Sequence, residues 1–351
     1  MDPTTVVILS ALIIGLIYGS VGLVSGFCMM SSLRGWWAQG DGRLVRTYAL
    51  AMGVAIAASQ LLVAAGLVDL GKSIYLQPSF SAPVMFFGGL LFGYGMVLSN
   101  GCGSRALVLL GRGTLRSFLV VVVLGIFAEI TLKGLIAPAR IAMVQASQMT
   151  VATNSVPAVL TDFGLAAPQA RMIAASVLAA ALIIFAFSHA PFRRSFGQII
   201  AGLIVGGLVA AGWYATGHLG ADDFNPTPVP SLTFIAPIAD ALQYVMLSTG
   251  STLNFGIVTV FGVFAGSLLT ALVTGRFQLE GYQSPQHMLR SACGAALMGT
   301  GGVMAFGCSV GQGLTGLSTL SLSSLIAIAG ILLGTGAGLR GALRVRPLAP
   351  A

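Results

Sequence analysis

Long apolar runs alternate with short polar connections along this chain, and the run length matches a lipid bilayer better than a soluble core. Reading the apolar stretches between charges and Pro/Gly breaks predicts nine spans. They lie at about 5–27, 47–68, 83–99, 115–136, 171–190, 196–216, 254–274, 288–306 and 321–339. Each is near the roughly 20 residues that a helix needs to cross the hydrocarbon layer. Two more apolar segments, 102–112 and 308–318, are too short to cross. Each follows a glycine-rich span and precedes another, which reads as a re-entrant half-helix. The first run, "VVILSALIIGLIYG", has no Lys or Arg before it, so it is expected to be a retained span and not a cleaved signal. The expected fold class is an all-α integral membrane protein with about nine transmembrane helices and two re-entrant half-helices. A single polytopic domain is expected over 1–351.

Composition points the same way. Of 351 residues, 56% are hydrophobic and 7% are charged, with a mean hydropathy of +0.95; soluble domains carry about 25% charged residues. The net charge of +8 does not indicate nucleic acid. The basic residues sit in short connections, as the positive-inside rule produces, and no basic patch with interleaved aromatics occurs. With the N-terminus outside, the inner side holds Arg34, Arg43, Arg46, Arg105, Arg112, Arg116, Arg193, Arg194, Arg276, Arg290, Arg340, Arg344 and Arg346, against Lys72, Lys133, Arg140 and Arg171 outside. An even number of spans would destroy that split. The expected location is therefore a bacterial inner membrane, with a periplasmic N-terminus and a cytoplasmic C-terminus. The long outer connections, 137–169 and 217–253, hold Asp162, Asp222, Asp223 and Asp240.

The chain also repeats itself. Residues 88–102 and 294–308 align without gaps at an offset of 206, and seven of the fifteen positions match: Gly88/Gly294, Leu91/Leu297, Gly93/Gly299, Gly95/Gly301, Val97/Val303, Gly101/Gly307 and Cys102/Cys308. Further back, "ALIIG" at 11–15 resembles "GLIVG" at 202–206. Two four-span units are expected, about 5–136 and about 196–339, joined by the span at about 171–190. Equivalent spans stand five apart, an odd number, so the halves should be inverted. Inverted repeats with broken helices carry their binding site at the repeat interface near mid-membrane, which points to a transporter or conduit.

The candidate chemistry lies at the cysteines. Cys102 stands between Gly101 and Gly103, and Cys308 follows Gly307 and precedes Ser309 and Gln312. Glycines let backbone and substrate approach closely. Ser309 and Gln312 add neutral hydrogen-bonding groups. The N-terminus of a half-helix favours an anion, and a neutral thiol is a weak S–H donor with a soft, polarizable sulfur. Together these suit a small anion that carries soft sulfur. A hard oxyanion would more often recruit Arg or Lys, and none falls in a span core. Cys28, in "SGFCMMSSLRGWW", sits at the inner end of the first span; at the local offset of 191 its counterpart is Leu219, so it breaks the symmetry.

The segments "SNGCGSRALVLLGRGTL" and "GCSVGQGLTGLSTLSLSSL" resemble the two signature regions of the YeeE/YedE family of bacterial thiosulfate transporters, and "SGFCMMSSLRG" resembles its first-span cysteine region. The resemblance implies an inverted repeat with paired helical loops, and passage of intact thiosulfate along a relay of S–H contacts. By matching motif, Cys28, Cys102 and Cys308 would form that relay. It also implies a cytoplasmic sulfur-carrier protein of the TusA type as a companion. Many members have a histidine where this chain has Gln312, which removes a titratable group.

Other readings weigh less. A membrane thiol–disulfide oxidoreductase would use a redox-cycling Cys102–Cys308 pair. A soft-metal transporter would need Met or Cys clusters that are not there. Neither an enzyme nor a cofactor is expected. Cys293 aligns with Phe87 and reads as packing, and Glu129 with Lys133 reads as an i,i+4 ion pair.

Overall fold

Nine long helices occupy the nine apolar runs in a computed structural model that describes residues 3–150, 154–161, 164–221, 229–282, 284–341 and 343–345. They are α1 (Pro3–Ser25), α3 (Arg43–Ala64), α4 (Ala82–Leu98), α6 (Leu115–Leu132), α9 (Ala167–Phe187), α11 (Phe196–Tyr214), α13 (Phe255–Val273), α14 (Pro285–Met304) and α15 (Leu322–Leu339). Among the described residues, eight helical runs are long and apolar enough to span a membrane. The ninth, α14, has 20 residues, and polar Gln286, His287 and Arg290 dilute its apolarity. The chain is a multi-pass membrane protein. Asp162, Asp222, Asp223 and Arg346 lie outside the described residues.

Shorter elements fill the gaps. They are α2 (Met29–Gln39), the strand pair β1 (Ser79–Phe80) and β2 (Met149–Thr150), α5 (Gly103–Gly111), α7 (Ala137–Ala146), α8 (Val156–Thr161), α10 (Ala190–Arg193) and α12 (Ile235–Met246). The first re-entrant segment is α5. The second, 309–318, is helical throughout, with a π-helical stretch at Gly311–Gly316. Such stretches are rare and are frequently found at functional sites.

Two connections differ from the sequence expectation. The region 217–253 is not simply an outer loop: Leu232 and Phe234 are fully buried, and α12 packs on α6, α13 and α14. The cause is its one-sided pattern, with Ile235, Ile238 and Ala241 all buried at helical spacing; twelve residues are too few to register as a span. The region 137–169 likewise carries α7 and α8.

Glycine brings the long helices together. In a bilayer, small residues let helix backbones touch. A methyl group on Gly88 would lie 2.8 Å from the Gly301 carbonyl oxygen, and one on Gly95 would lie 2.6 Å from that of Gly294. The glycines that match at offset 206 thus face each other crosswise, and α4 runs antiparallel to α14. Gly15 meets Thr259 and, one turn on, Gly19 meets Val263, so α1 and α13 run side by side in the same direction. The helix pairings also come in matched sets: α1 with α13 and α11 with α3, then α4 with α15 and α14 with α6. The helix α9 stands aside from this pattern, packed on α3 and α8.

Candidate functional site

Three breaks in helical backbone converge in the core. At the first, Gly26 turns the chain with φ +72°, and Cys28 caps the N-terminus of α2. At the second and third, α4 and α14 end, and the chain turns back through Asn100-Gly101-Cys102 and Phe306-Gly307-Cys308. Asn100 and Phe306, equivalent at offset 206, both adopt left-handed backbone, with φ of 60° and 55°. Asparagine tolerates this; a bulky phenylalanine does so at a cost and marks a conformation enforced by its surroundings.

Cys28, Cys102 and Cys308 are all buried, at 2%, 1% and 0% exposure, and all are free thiols. The sulfurs of Cys28 and Cys102 are 3.9 Å apart, and Ser104 Oγ lies 3.2 Å from the Cys102 sulfur. The Cys308 sulfur accepts the Gly311 N–H at 3.3 Å, so the start of the second half-helix points a donor at it. Tyr18 and Tyr48 are buried in the same core cluster as all three thiols. The closest thiol pair is therefore Cys28 with Cys102, an arrangement the sequence did not indicate.

Side chains from several helices fix the second re-entrant segment. Tyr48 donates to the Ser309 carbonyl at 2.5 Å, Gln312 Nε2 to the Ala305 carbonyl at 2.6 Å, and Thr315 to the Leu232 carbonyl at 2.5 Å. Trp213 Nε1 donates to Ser318 Oγ at 3.0 Å, and Gln60 Nε2 to the Ser318 carbonyl at 2.7 Å. Removing the hydroxyl with Ser318→Ala leaves the buried indole N–H without its acceptor, at an expected cost of about 1–3 kcal/mol. A lowered melting temperature of the detergent-solubilised variant checks this, and an unchanged one counts against the anchoring role.

The expected site residues divide by environment. Gly101 lines a cavity of about 570 Å³ that also includes Arg34, Arg105, Arg112, Arg116, Arg290 and Arg344, with Glu280 the single carboxylate in its wall. Gln312 lines a second, much smaller cavity of about 80 Å³ at the other end, whose polar wall is neutral: Tyr75, Gln77, Ser79, Asn154 and Ser323. Gly101 is the chain neighbour of Cys102, and Gln312 stands four residues past Cys308. Gly103 does not present open space, because a methyl there would sit 3.1 Å from Leu124 Cδ1, so it serves packing. A methyl on Gly307 would lie 3.3 Å from the Gln312 side chain. The Ser309 hydroxyl and Gln312 Oε1 are buried without a partner.

Several neighbours were invisible in the sequence. Tyr18, Tyr48 and Ser104 sit in or beside apolar runs and read as core; their only signal was a hydroxyl in such a run. Gly311 and Gly313 leave room for hydroxyls: a methyl on the first would lie 2.6 Å from Thr233 Oγ1, and one on the second 2.7 Å from the Tyr48 oxygen. Where the local offset of 191 pairs Cys28 with Leu219, the element order pairs it with Phe234. Both residues are N-caps, of α2 and α12, at the same offset of 206 that relates the other two cysteines. The connection before α12 is longer than the one before α2, and this shifted the local alignment. Cys293 is exposed on α14 and not packed in the core, as is Phe87 at its aligned position. Lys133 holds Glu129 at 3.1 Å and also Asp240 at 3.4 Å.

Comparison with known sequences agrees with this architecture. The chain is 24% identical over 349 residues to the thiosulfate transporter TsuA of Escherichia coli (strain K12), covering 93% of this chain and 92% of that protein. It is 26% identical over 347 residues to the thiosulfate transporter TsuA of Spirochaeta thermophila, covering 93% and 96%. The family described as sulphur transport matches residues 24–337, nearly the whole of the membrane domain. With that match over most of its length, the chain belongs to the sulphur transport family.

Proposed function

We propose that this protein takes up thiosulfate, or a closely related sulfur anion, through a central pathway lined by cysteine thiols, and that the anion passes intact. The observation that carries the reading is the set of buried thiols at three backbone breaks, with the Cys28 and Cys102 sulfurs 3.9 Å apart, Gly101 beside Cys102 lining the arginine-walled cavity, and Gln312 past Cys308 lining the neutral one. In this reading the sulfane sulfur accepts S–H contacts from successive thiols, and no covalent bond forms or breaks. The positive dipole ends at the half-helix starts balance negative charge without a fixed cation. The arginines of the large cavity then draw the anion toward that end. The relatives' names support the substrate class.

The antiparallel crossing of α4 on α14, and the matched helix pairings, support two inverted halves of one domain, with units at about 5–136 and 196–339. The Lys and Arg bias supports an inner-membrane location with the N-terminus in the periplasm, the C-terminus in the cytoplasm and the basic cavity on the cytoplasmic side. A TusA-like sulfur carrier would collect the anion there. The test is growth on thiosulfate, and uptake of labelled thiosulfate, in bacterial cells lacking other sulfur-anion importers. Expression of this chain should restore both; the absence of uptake despite verified membrane insertion would refute the proposal.

A further inference from the structure

Thiosulfate has two unlike ends, a soft terminal sulfur and a hard sulfonate with three acceptor oxygens. Thiols suit the first. A weak S–H donor is a poor match for the second, which calls for hydroxyl, N–H or cationic donors. Arg105, three residues past Cys102, is already engaged: its Nη1 donates to the Gly22 carbonyl at 2.9 Å. The phenol of Tyr48 is also committed, to the Ser309 carbonyl at 2.5 Å. That leaves two hydroxyls beside the Cys28–Cys102 pair. Ser104, 2% exposed, lies 3.2 Å from the Cys102 sulfur. Tyr18, 2% exposed, reaches across from α1 so that its phenol faces Ser104, while its ring rests on Phe234 with centroids 5.1 Å apart. Cys102 therefore has the Cys28 thiol 3.9 Å away and the Ser104 hydroxyl 3.2 Å away, with the Tyr18 phenol next to Ser104.

We propose that Tyr18 and Ser104 are specificity-determining residues, whose hydroxyls hold the oxygen end of the anion while the thiols of Cys28 and Cys102 face its sulfur end. This rests on the thiosulfate reading above and adds to it the recognition of the oxygens. Two neutral donors and two thiols make a site with a hard half and a soft half. An anion of oxygens alone leaves the thiols poorly used, and a sulfur anion without oxygens leaves the hydroxyls unmatched. Discrimination by buried polar groups is strong, because a ligand that fails to pair them leaves them unsatisfied. The ring of Tyr18 has a separate packing role against Phe234, which Tyr18→Phe preserves.

The experiment measures labelled thiosulfate uptake into proteoliposomes containing wild type, Tyr18→Phe or Ser104→Ala, together with the melting temperature of each purified protein without substrate. The expected result is a rise of about tenfold in the half-saturating thiosulfate concentration for each variant, as loss of one hydrogen bond to a charged ligand implies. The maximal rate should change far less, and the melting temperature should stay within about a degree. A half-saturating concentration within twofold of wild type in both variants would overturn the proposal. So would a loss of uptake that tracks a fall in melting temperature, which would mark a purely structural role. Wild-type protein that takes up no thiosulfate would overturn the transport reading itself, and this assignment with it.

Discussion

A single methyl group at Gly266 prevents the protein from folding to its native stability. The Cβ of Gly266→Ala would be driven into the backbone of Leu16, with the Leu16 carbonyl carbon and Cα each 2.7 Å away. Backbone cannot rotate out of the way as a flexible side chain can, so α1 and α13 must separate. Two other contacts hold the same seam: Ser20 Oγ donates to the Gly266 carbonyl at 3.1 Å, and Gly262 sits 2.8 Å from the Leu12 carbonyl by the same measure. Overpacking in a core costs about 1–3 kcal/mol and occasionally more; clash with backbone belongs at the upper end, about 3 kcal/mol. The control is Gly197→Ala, at an exposed position on α11 with nothing within 4 Å, where helix propensity alone predicts a neutral or slightly stabilising change. Membrane accumulation and melting temperature in detergent read both variants. Equal behaviour of the two would show that the α1–α13 seam is not closely packed.

Replacing Cys102 or Cys308 with alanine cuts sulfur-anion uptake by about tenfold or more. Each thiol is buried at a backbone break, and alanine keeps the volume of its methylene while deleting the S–H donor. A hydrogen bond to a charged group contributes about 1.5–3 kcal/mol, which corresponds to roughly ten- to a hundredfold in affinity or rate. Cys28→Ala should be damaging for the same reason, since its sulfur is 3.9 Å from that of Cys102. The exposed Cys293 should tolerate alanine with no loss of uptake.

Much of this architecture was legible because a bilayer imposes a length. The apolar runs fell close to the long helices, and the short run at 102–112 became the short helix α5. The offset of 206 was legible because the glycines at 88, 93 and 95 and their mates at 294, 299 and 301 stand where helices touch, and a side chain there would meet the neighbouring helix. Less legible was anything whose signal needs a partner far along the chain. Tyr18 reads as one more ring in an apolar run until α5 brings Ser104 beside it. The short helix α12 carries no span-length apolar run to mark it, because twelve residues are too few, and Phe234 at its N-cap is hidden with it. The sequence led to the two glycine-flanked cysteines, but the meeting of Cys28 with Cys102 depends on how α1 and α4 end, which composition does not encode.

The most direct test of the central claim is labelled thiosulfate uptake into sealed proteoliposomes that contain this protein alone, with wild type, Cys102→Ala, Cys308→Ala and Cys293→Ala compared at equal protein incorporation. The account predicts saturable uptake by wild type and Cys293→Ala, and a loss of about tenfold or more in each of the other two, as the hydrogen-bond energies above imply. Undiminished uptake in both Cys102→Ala and Cys308→Ala would contradict it, because the anion would then be crossing without the thiols.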